Sequence, residues 1–311
     1  MDTLERMKTL GYGTELEYTG ISRGAAAKAV WSVVGGCFKG TEVVANDGRI
    51  WRAIKDGSLS GSDTDQAAEV VTPILRYEDL GTLEAVVRAL RRAGAQASAD
   101  TSQHVHVGVE NFSVSQIANL VRIFFKQEEL IIRAVGIWNE RLYRYCRRTD
   151  PDFIARLEAI RPTTPEELDE VWYANEPDRH LCRYRALNLS SLWKTGTVEF
   201  RCYNGTLRPD MVRATVVLSL AIAARALEVR KTTSKHQRIY SPESARYDMR
   251  IFLSGLGLNG LEFQAVRQSL LENLSGCSAW KSGRPQQSFR RKRPPQKNKS
   301  HNTFEINGLY S

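Results

Sequence analysis

Three short segments of this chain place ionisable side chains at every second position. Glu15-Leu16-Glu17 carries two carboxylates, His104-Val105-His106-Val107 two imidazoles, and Val198-Glu199-Phe200-Arg201 an acid and a guanidinium. Side chains alternate across a strand with period two. Each segment therefore reads as a strand with one apolar face for the core and one face of Glu, His or Arg. An ordinary solvated strand face mixes Lys, Thr, Ser and Glu, and these faces hold no Lys. Glu69, ahead of Val70-Val71, adds a further acid. If the strands are neighbours, Glu15, Glu17, Glu69 and Glu199 meet on one surface with His104 and His106. Four carboxylates at short range repel strongly, and bound divalent cations would relieve this. Oxygen-rich sets with one imidazole per ion favour Mg²⁺ or Mn²⁺ over Zn²⁺. Taken singly, each residue reads more simply as a solvated strand residue, a satisfied histidine or half of a cross-strand ion pair. The coincidence of all four places is what points to metal chemistry.

The chain can bury a core. It has 311 residues, 42% apolar and 25% charged, the proportions of a globular protein with one large domain or two ordinary ones. Its five cysteines (37, 146, 182, 202 and 277) form no Cys-x-x-Cys. Neither a zinc ribbon nor a disulfide framework is expected, and a reducing, cytoplasmic compartment is. The opening Met1-Asp2-Thr3-Leu4-Glu5-Arg6 predicts no signal peptide. The longest uncharged apolar run, Ala214 to Ala224, is 11 residues, too short to span a bilayer. The net charge of +9 is uneven: residues 276–311 hold eight Lys or Arg and one acid, which leaves 36 basic and 34 acidic side chains in residues 1–275.

Periodicity and turn chemistry predict strands over 14–20, 69–75 and 104–109. They also predict a hairpin from Glu42 to Ile54 around Asn46-Asp47-Gly48, and paired strands over 186–192 and 198–203. Helices are expected after Ser22, over 80–92, after Ser113 with Gln116 completing a capping box, in two pieces over 151–175, over 209–230 and across 243–274. The hairpin-like strands favour an α+β fold around an antiparallel sheet, with helices on its outer face. Residues 1–275 would form the catalytic domain. From Gly276 the apolar periodicity stops, and Pro, Gln, Ser and basic residues predict a disordered tail.

The same residues, in the same order, resemble the amidoligase family of carboxylate–amine ligases, whose catalytic domain is like that of glutamine synthetase. Tyr12-Gly13-Thr14-Glu15-Leu16-Glu17 resembles its opening Gly-x-Glu-x-Glu, and Lys55-Asp56-Gly57-Ser58-Leu59 its Asp-x-Ser segment. Glu69-Val70-Val71-Thr72-Pro73 and His104-Val105-His106-Val107 look like its next two strands. Arg185 to Leu189 and Gly196 to Arg201, followed by Asn204-Gly205-Thr206-Leu207, look like its closing motifs. The likeness spans about residues 11–230. One departure is Ser102-Gln103, where a glycine is expected before the histidine strand.

The resemblance implies an ATP- and Mg²⁺-dependent (or Mn²⁺-dependent) ligase forming an amide or isopeptide bond through an acyl phosphate, with a curved sheet lining the site. It implies that Glu17 and Glu69 hold one metal, and that Glu15, His104 and Glu199 hold the metal on the ATP phosphates. His106 would reach a phosphate oxygen and Arg201 the transferring phosphoryl group. Arg185 would hold phosphate or substrate carboxylate, and Asp56 would orient the amine or take its proton. Asn204, with Asn188, would steady the backbone around the cofactor. No Walker phosphate loop is present. Small-molecule or peptide carboxylates and amines are the expected partners, and no membrane is expected.

Two rival readings remain at this level. His104-x-His106-x-x-x-Glu110 matches the ligand spacing of a cupin, which would hold one metal without ATP. The run Arg290-Arg291-Lys292-Arg293 could contact nucleic-acid phosphates or another polyanion without base selectivity. The stretch Glu140 to Arg148, rich in Arg and Tyr, reads as a charged helix face. Its alternative role is to border the site and bind an acidic substrate.

Overall fold

The structure, a computed structural model, describes residues 2–56, 59, 66–174, 178–230 and 237–281. Among them are eight strands: β1 (Tyr12–Thr19), β2 (Cys37–Lys39), β3 (Glu42–Val44), β4 (Ile50–Ile54), β5 (Ala67–Val71), β6 (Ser102–Gly108), β7 (Leu187–Asn188) and β8 (Thr197–Asn204). Eleven α-helices accompany them: α1 (Thr3–Thr9), α2 (Arg23–Val34), α3 (Leu80–Arg92), α4 (Val114–Val135), α5 (Asn139–Arg144), α6 (Pro151–Ile160), α7 (Pro165–Tyr173), α8 (Leu192–Thr195), α9 (Pro209–Glu228), α10 (Ala245–Gly255) and α11 (Gln264–Leu271). All eight strands join one sheet in the order β2-β3-β4-β5-β1-β6-β8-β7. Every pairing is antiparallel. The fold is α+β, as the pattern of the strands implied. Ser58 and the basic run 290–293 lie outside the described residues.

The sheet has one dry face. Trp51, Ala53, Ala68, Val70, Leu16, Tyr18, Val105, Val107, Val198 and Phe200 are all buried. Helices α2, α4 and α9 pack on these strands, with α3 behind them against α2 and α9. Helix α9 is buried almost throughout, since α1, α3, α4, α11 and β6 all pack against it. Such a helix needs an apolar surface all round rather than a stripe. Each fully buried Leu or Val here contributes about 1.5–3 kcal/mol. None of the helices among the described residues is long and apolar enough to cross a membrane.

Local chemistry explains where the elements depart from expectation. The strand expected over 69–75 ends at Val71, because Pro73 has no N–H to continue the ladder. Thr72 and Leu75 still donate to Thr14 O and Tyr12 O, at 3.1 and 2.7 Å. The helical pattern across 243–274 divides into α10 and α11 at Gly257 and Gly260, both at positive φ. Helix α1 was not anticipated. Its seven residues are too few to show a period, and a capping box of Asp2 and Glu5 closes its first turn. Residues 276–281 are folded onto the domain, with Arg250 Nε donating to Ser278 O at 2.6 Å.

Candidate active site

Strand register gathers the ionisable residues. Glu15 stands opposite His104, and Glu17 opposite Glu69. His106 and Asn188 both stand opposite Glu199. Between Gln103 and Val105 the β6–β8 register shifts by one, so Arg201 and Cys202 together oppose His104. A bulge of this kind re-aims side chains. Here it leaves Glu199 and Arg201 on the polar face while Phe200, Cys202 and Tyr203 are all buried.

Two compact ligand sets result. One atom each of Glu15, His106 and Glu199 lies within 4.8 Å of the others, and so does one each of Glu17, Asp56 and Glu69. His104 joins the sets rather than belonging to either. Its Nδ1 is 2.7 Å from Glu15 Oε2, and its Nε2 is 3.0 Å from Ser102 Oγ and 3.8 Å from Glu17 Oε1. His106 Nδ1 is 3.1 Å from Thr197 Oγ1. Its Nε2 is buried with no aligned hydrogen-bond partner, 3.3 Å from Glu15 Oε1 and 3.8 Å from Glu199 Oε1. His106 supplies the imidazole of this compact set, and His104, the ligand the resemblance implied, adjoins it with Nδ1 3.5 Å from Glu199 Oε1. The donor sets, two carboxylates with an imidazole and three carboxylates, fit hard divalent cations. The buried Nε2 of His106 also lacks the partner an ion would supply.

Electrostatics separate the two sets. Burial would raise Glu15, but the imidazoles of His104 and His106 beside it outweigh this and hold its pKa well below the carboxylate range. Burial would raise Glu199 too, but Arg201, then His106 and His104, hold it low. Asn188 Nδ2 at 2.7 Å and Ser191 Oγ at 3.1 Å also donate to Glu199. Burial would lower His106, and the adjoining carboxylates raise it. The other set has no such compensation. Burial, then Glu15, Asp56 and Glu17, push Glu69 up to about 9. Burial also raises Glu17, against His104 and the backbone and hydroxyl donors of Ser102. At the Ser102-Gln103 departure, Ser102 donates to both carboxylate oxygens of Glu17, while Gln103 turns to the core and accepts from Thr215 Oγ1 at 2.9 Å.

Two cavities meet at Glu15. The smaller, about 140 Å³, has Glu17, Asp56, Glu69 and Asp100 on one side and Arg141, Arg183 and Arg201 on the other, with Tyr145 and Tyr184. The larger, about 490 Å³, adjoins His106 and is lined by Gly11, Gly13, Thr72, Ile74, Phe112 and Thr197 among others. Arg201 is buried and ion-paired to Glu199. Arg185 lines neither of these cavities. It faces Arg148 O at 3.4 Å and Asp150 at 3.7 Å, and Arg183 stands at the site instead. Asn204 lies outside both linings, with its Nδ2 on Gly136 O at 2.8 Å. Arg141 and Tyr145 place the Glu140 to Arg148 stretch at the border of the site. Glu110, the third ligand of a cupin, belongs to neither compact set, and β6 is followed by helix α4 rather than a strand.

A family model described as "Putative amidoligase enzyme" matches residues 8–223. The chain belongs to the amidoligase family. Membership supports a ligase that joins a carboxylate to an amine, and the matched span runs from the end of α1 through most of α9, enclosing both ligand sets. No curated protein matches the chain. Among solved structures, a bifunctional glutathione synthetase from Pasteurella multocida is 10% identical, with a TM-score of 0.37 over 87% of this chain and 48% of that one. The chain thus spans about half the length of that protein, a likeness too distant to assign chemistry.

Proposed function

We propose that this amidoligase uses ATP and Mg²⁺ to activate a carboxylate as an acyl phosphate, on a glutamine-synthetase-like scaffold, and passes the acyl group to an amine. The observation that carries the reading is the pair of ligand sets on one sheet face, between two cavities that meet at Glu15. Glu15, His106 and Glu199 would hold one ion, and Glu17 and Glu69 the other. The ions would neutralise phosphate charge and the repulsion among the carboxylates.

A carboxylate is a poor electrophile. Its oxygen attacks the γ-phosphorus and ADP departs; the amine nitrogen then attacks the acyl carbon and inorganic phosphate departs. The protein's task is positioning and charge neutralisation. The larger cavity has room for a nucleoside, and the smaller for a molecule of amino-acid size. Arg201 offers a planar fork to the transferring phosphoryl group. His104, tied to Glu15 and to Ser102, positions both sets. The acidic wall draws in the protonated amine, and Asp56 would orient it and take its proton.

The test is hydroxylamine trapping with ATP and Mg²⁺ across a panel of carboxylates. Hydroxamate and ADP should form in equal amounts with at least one substrate, and Arg201→Lys should reduce both by about 10²-fold or more. Hydroxamate formation indifferent to ATP would contradict the reading.

A further inference from the structure

Glu110 carries a charge that the reaction above does not use. It follows β6, is exposed and lines the larger cavity. Its side chain folds back across two glycines. A Cβ on Gly108 would lie 3.1 Å from Glu110 Oε2, and one on Gly196 would lie 2.8 Å from Glu110 Cγ and 3.3 Å from Oε1. Val109 N donates to Gly196 O at 2.9 Å, which ties the end of β6 to the turn that enters β8. The two absent Cβ atoms make the room in which the carboxylate lies.

Among the described residues no hydrogen bond or ion pair reaches this carboxylate, and it belongs to neither compact ligand set. Both of its oxygens are therefore open to a donor. Its place along the strand narrows what that donor is. His106 stands opposite Glu199, and Gly108 opposite Thr197. A strand advances about 3.3–3.4 Å per residue, so Gly108 lies roughly 7 Å beyond His106. A phosphate belongs at the ligand set, and a carboxylate repels one. The next group outward in a nucleotide is the sugar, whose two adjacent hydroxyls are neutral donors that one carboxylate can accept together. Ile74, 71% exposed, and Phe112 line the same cavity and offer the base an apolar surface.

We propose that Glu110 accepts both hydroxyls of the nucleotide's ribose, so the larger cavity selects ribonucleoside over deoxyribonucleoside triphosphates. Glu110 is then a specificity-determining residue rather than a metal ligand. This rests on the reading of the larger cavity as the nucleotide site.

The experiment is thermal unfolding of the full chain with Mg²⁺ and graded ATP, 2′-deoxyATP, 3′-deoxyATP or ITP, which gives an apparent Kd for each. ATP should bind about tenfold more tightly than either deoxy form, the loss of one hydrogen bond to a charged acceptor. Removing a negative charge near a triphosphate strengthens every nucleotide alike, so the ratio of Kd values is the readout. In Glu110→Ala the preference for ATP over the deoxy forms should vanish, and in Glu110→Gln, which keeps one acceptor oxygen, it should be intermediate. Equal binding of ATP and both deoxy forms by the wild type, or a preference that persists in Glu110→Ala, would overturn the proposal and leave the nucleotide reading standing. A preference for ATP over ITP that vanishes in Glu110→Ala, with the deoxy forms bound as well as ATP, would put the base at Glu110 and overturn it likewise. If no nucleotide raises the midpoint, the proposal and the nucleotide reading fall together.

Discussion

Glu69 is held in its neutral form by burial and by three carboxylates around it, with a pKa pushed up to about 9. A folded pKa above the unfolded one contributes stability that is complete below the unfolded value, near 4.3, and is lost as pH rises through the folded value. The metal-free protein should therefore lose stability from Glu69 between about pH 4.3 and pH 9. Glu69→Gln should flatten that loss and raise the metal-free midpoint at pH 8 by about 2–6 °C, or ~1–2 kcal/mol. It should also weaken the response to Mg²⁺, leaving the part that the Glu15, His106 and Glu199 set contributes. Thermal melts at pH 6 and pH 8 check both halves. Glu199 has the opposite sign. Its pKa is depressed, so its contribution is present above the unfolded value and lost as pH falls. Relief of repulsion does not apply to it, because it is the buried counter-charge of Arg201. Glu199→Gln should destabilise the fold by about 3 kcal/mol, as expected for breaking a buried pair, measurable in denaturant melts at pH 7. Equal stability effects of the two substitutions would contradict the separation of the ligand sets.

At the scale of elements, β1, β6 and β8 carry the site because their alternation is uninterrupted except at one bulge. Gly205 closes that region. A Cβ there would fall 2.1 Å from Thr101 Oγ1 and 2.8 Å from the Thr101 backbone carbon, so the end of β8 and the approach to β6 would have to part. Gly205→Ala should cost about 2–3 kcal/mol and, through displaced Glu17 and Arg201, activity as well. A variant with wild-type stability would contradict this close approach. Much of this layout was legible beforehand. Period two exposed the polar face of the strands, and Ser22 and Ser113 marked helix starts that the structure caps as expected. What was not legible depends on contacts distant in sequence. Arg183 stands two residues before the Arg185 to Leu189 motif, and only the packing of the 147–150 segment decides which arginine faces the site. His104 and His106 share a strand face, and only the bulge and Ser102 decide which one is left with an unfilled nitrogen. Arg141 was visible as part of a charged stretch, but nothing in a helical period says that one of its arginines is buried.

The whole molecule is one sheet with a dry face that supports it and a wet face that opens into two cavities. Residues 282–311 hold seven Lys or Arg and one Glu, and among the described residues no member of either ligand set or cavity lies beyond Arg201. Truncation after Lys281, which keeps the Arg250–Ser278 contact, should leave ligase activity and the midpoint unchanged. Loss of either would make the tail part of the working enzyme. The most direct measurement on the central claim is thermal unfolding of the wild type and Glu15→Gln with Mg²⁺ alone, ATP alone and both. Glu15 is the residue the two cavities share. A midpoint that rises only when both are present, and fails to rise in Glu15→Gln, is the expected result. A rise with ATP that needs no divalent ion, or one that survives Glu15→Gln, would show that the acidic face is not where nucleotide and metal meet.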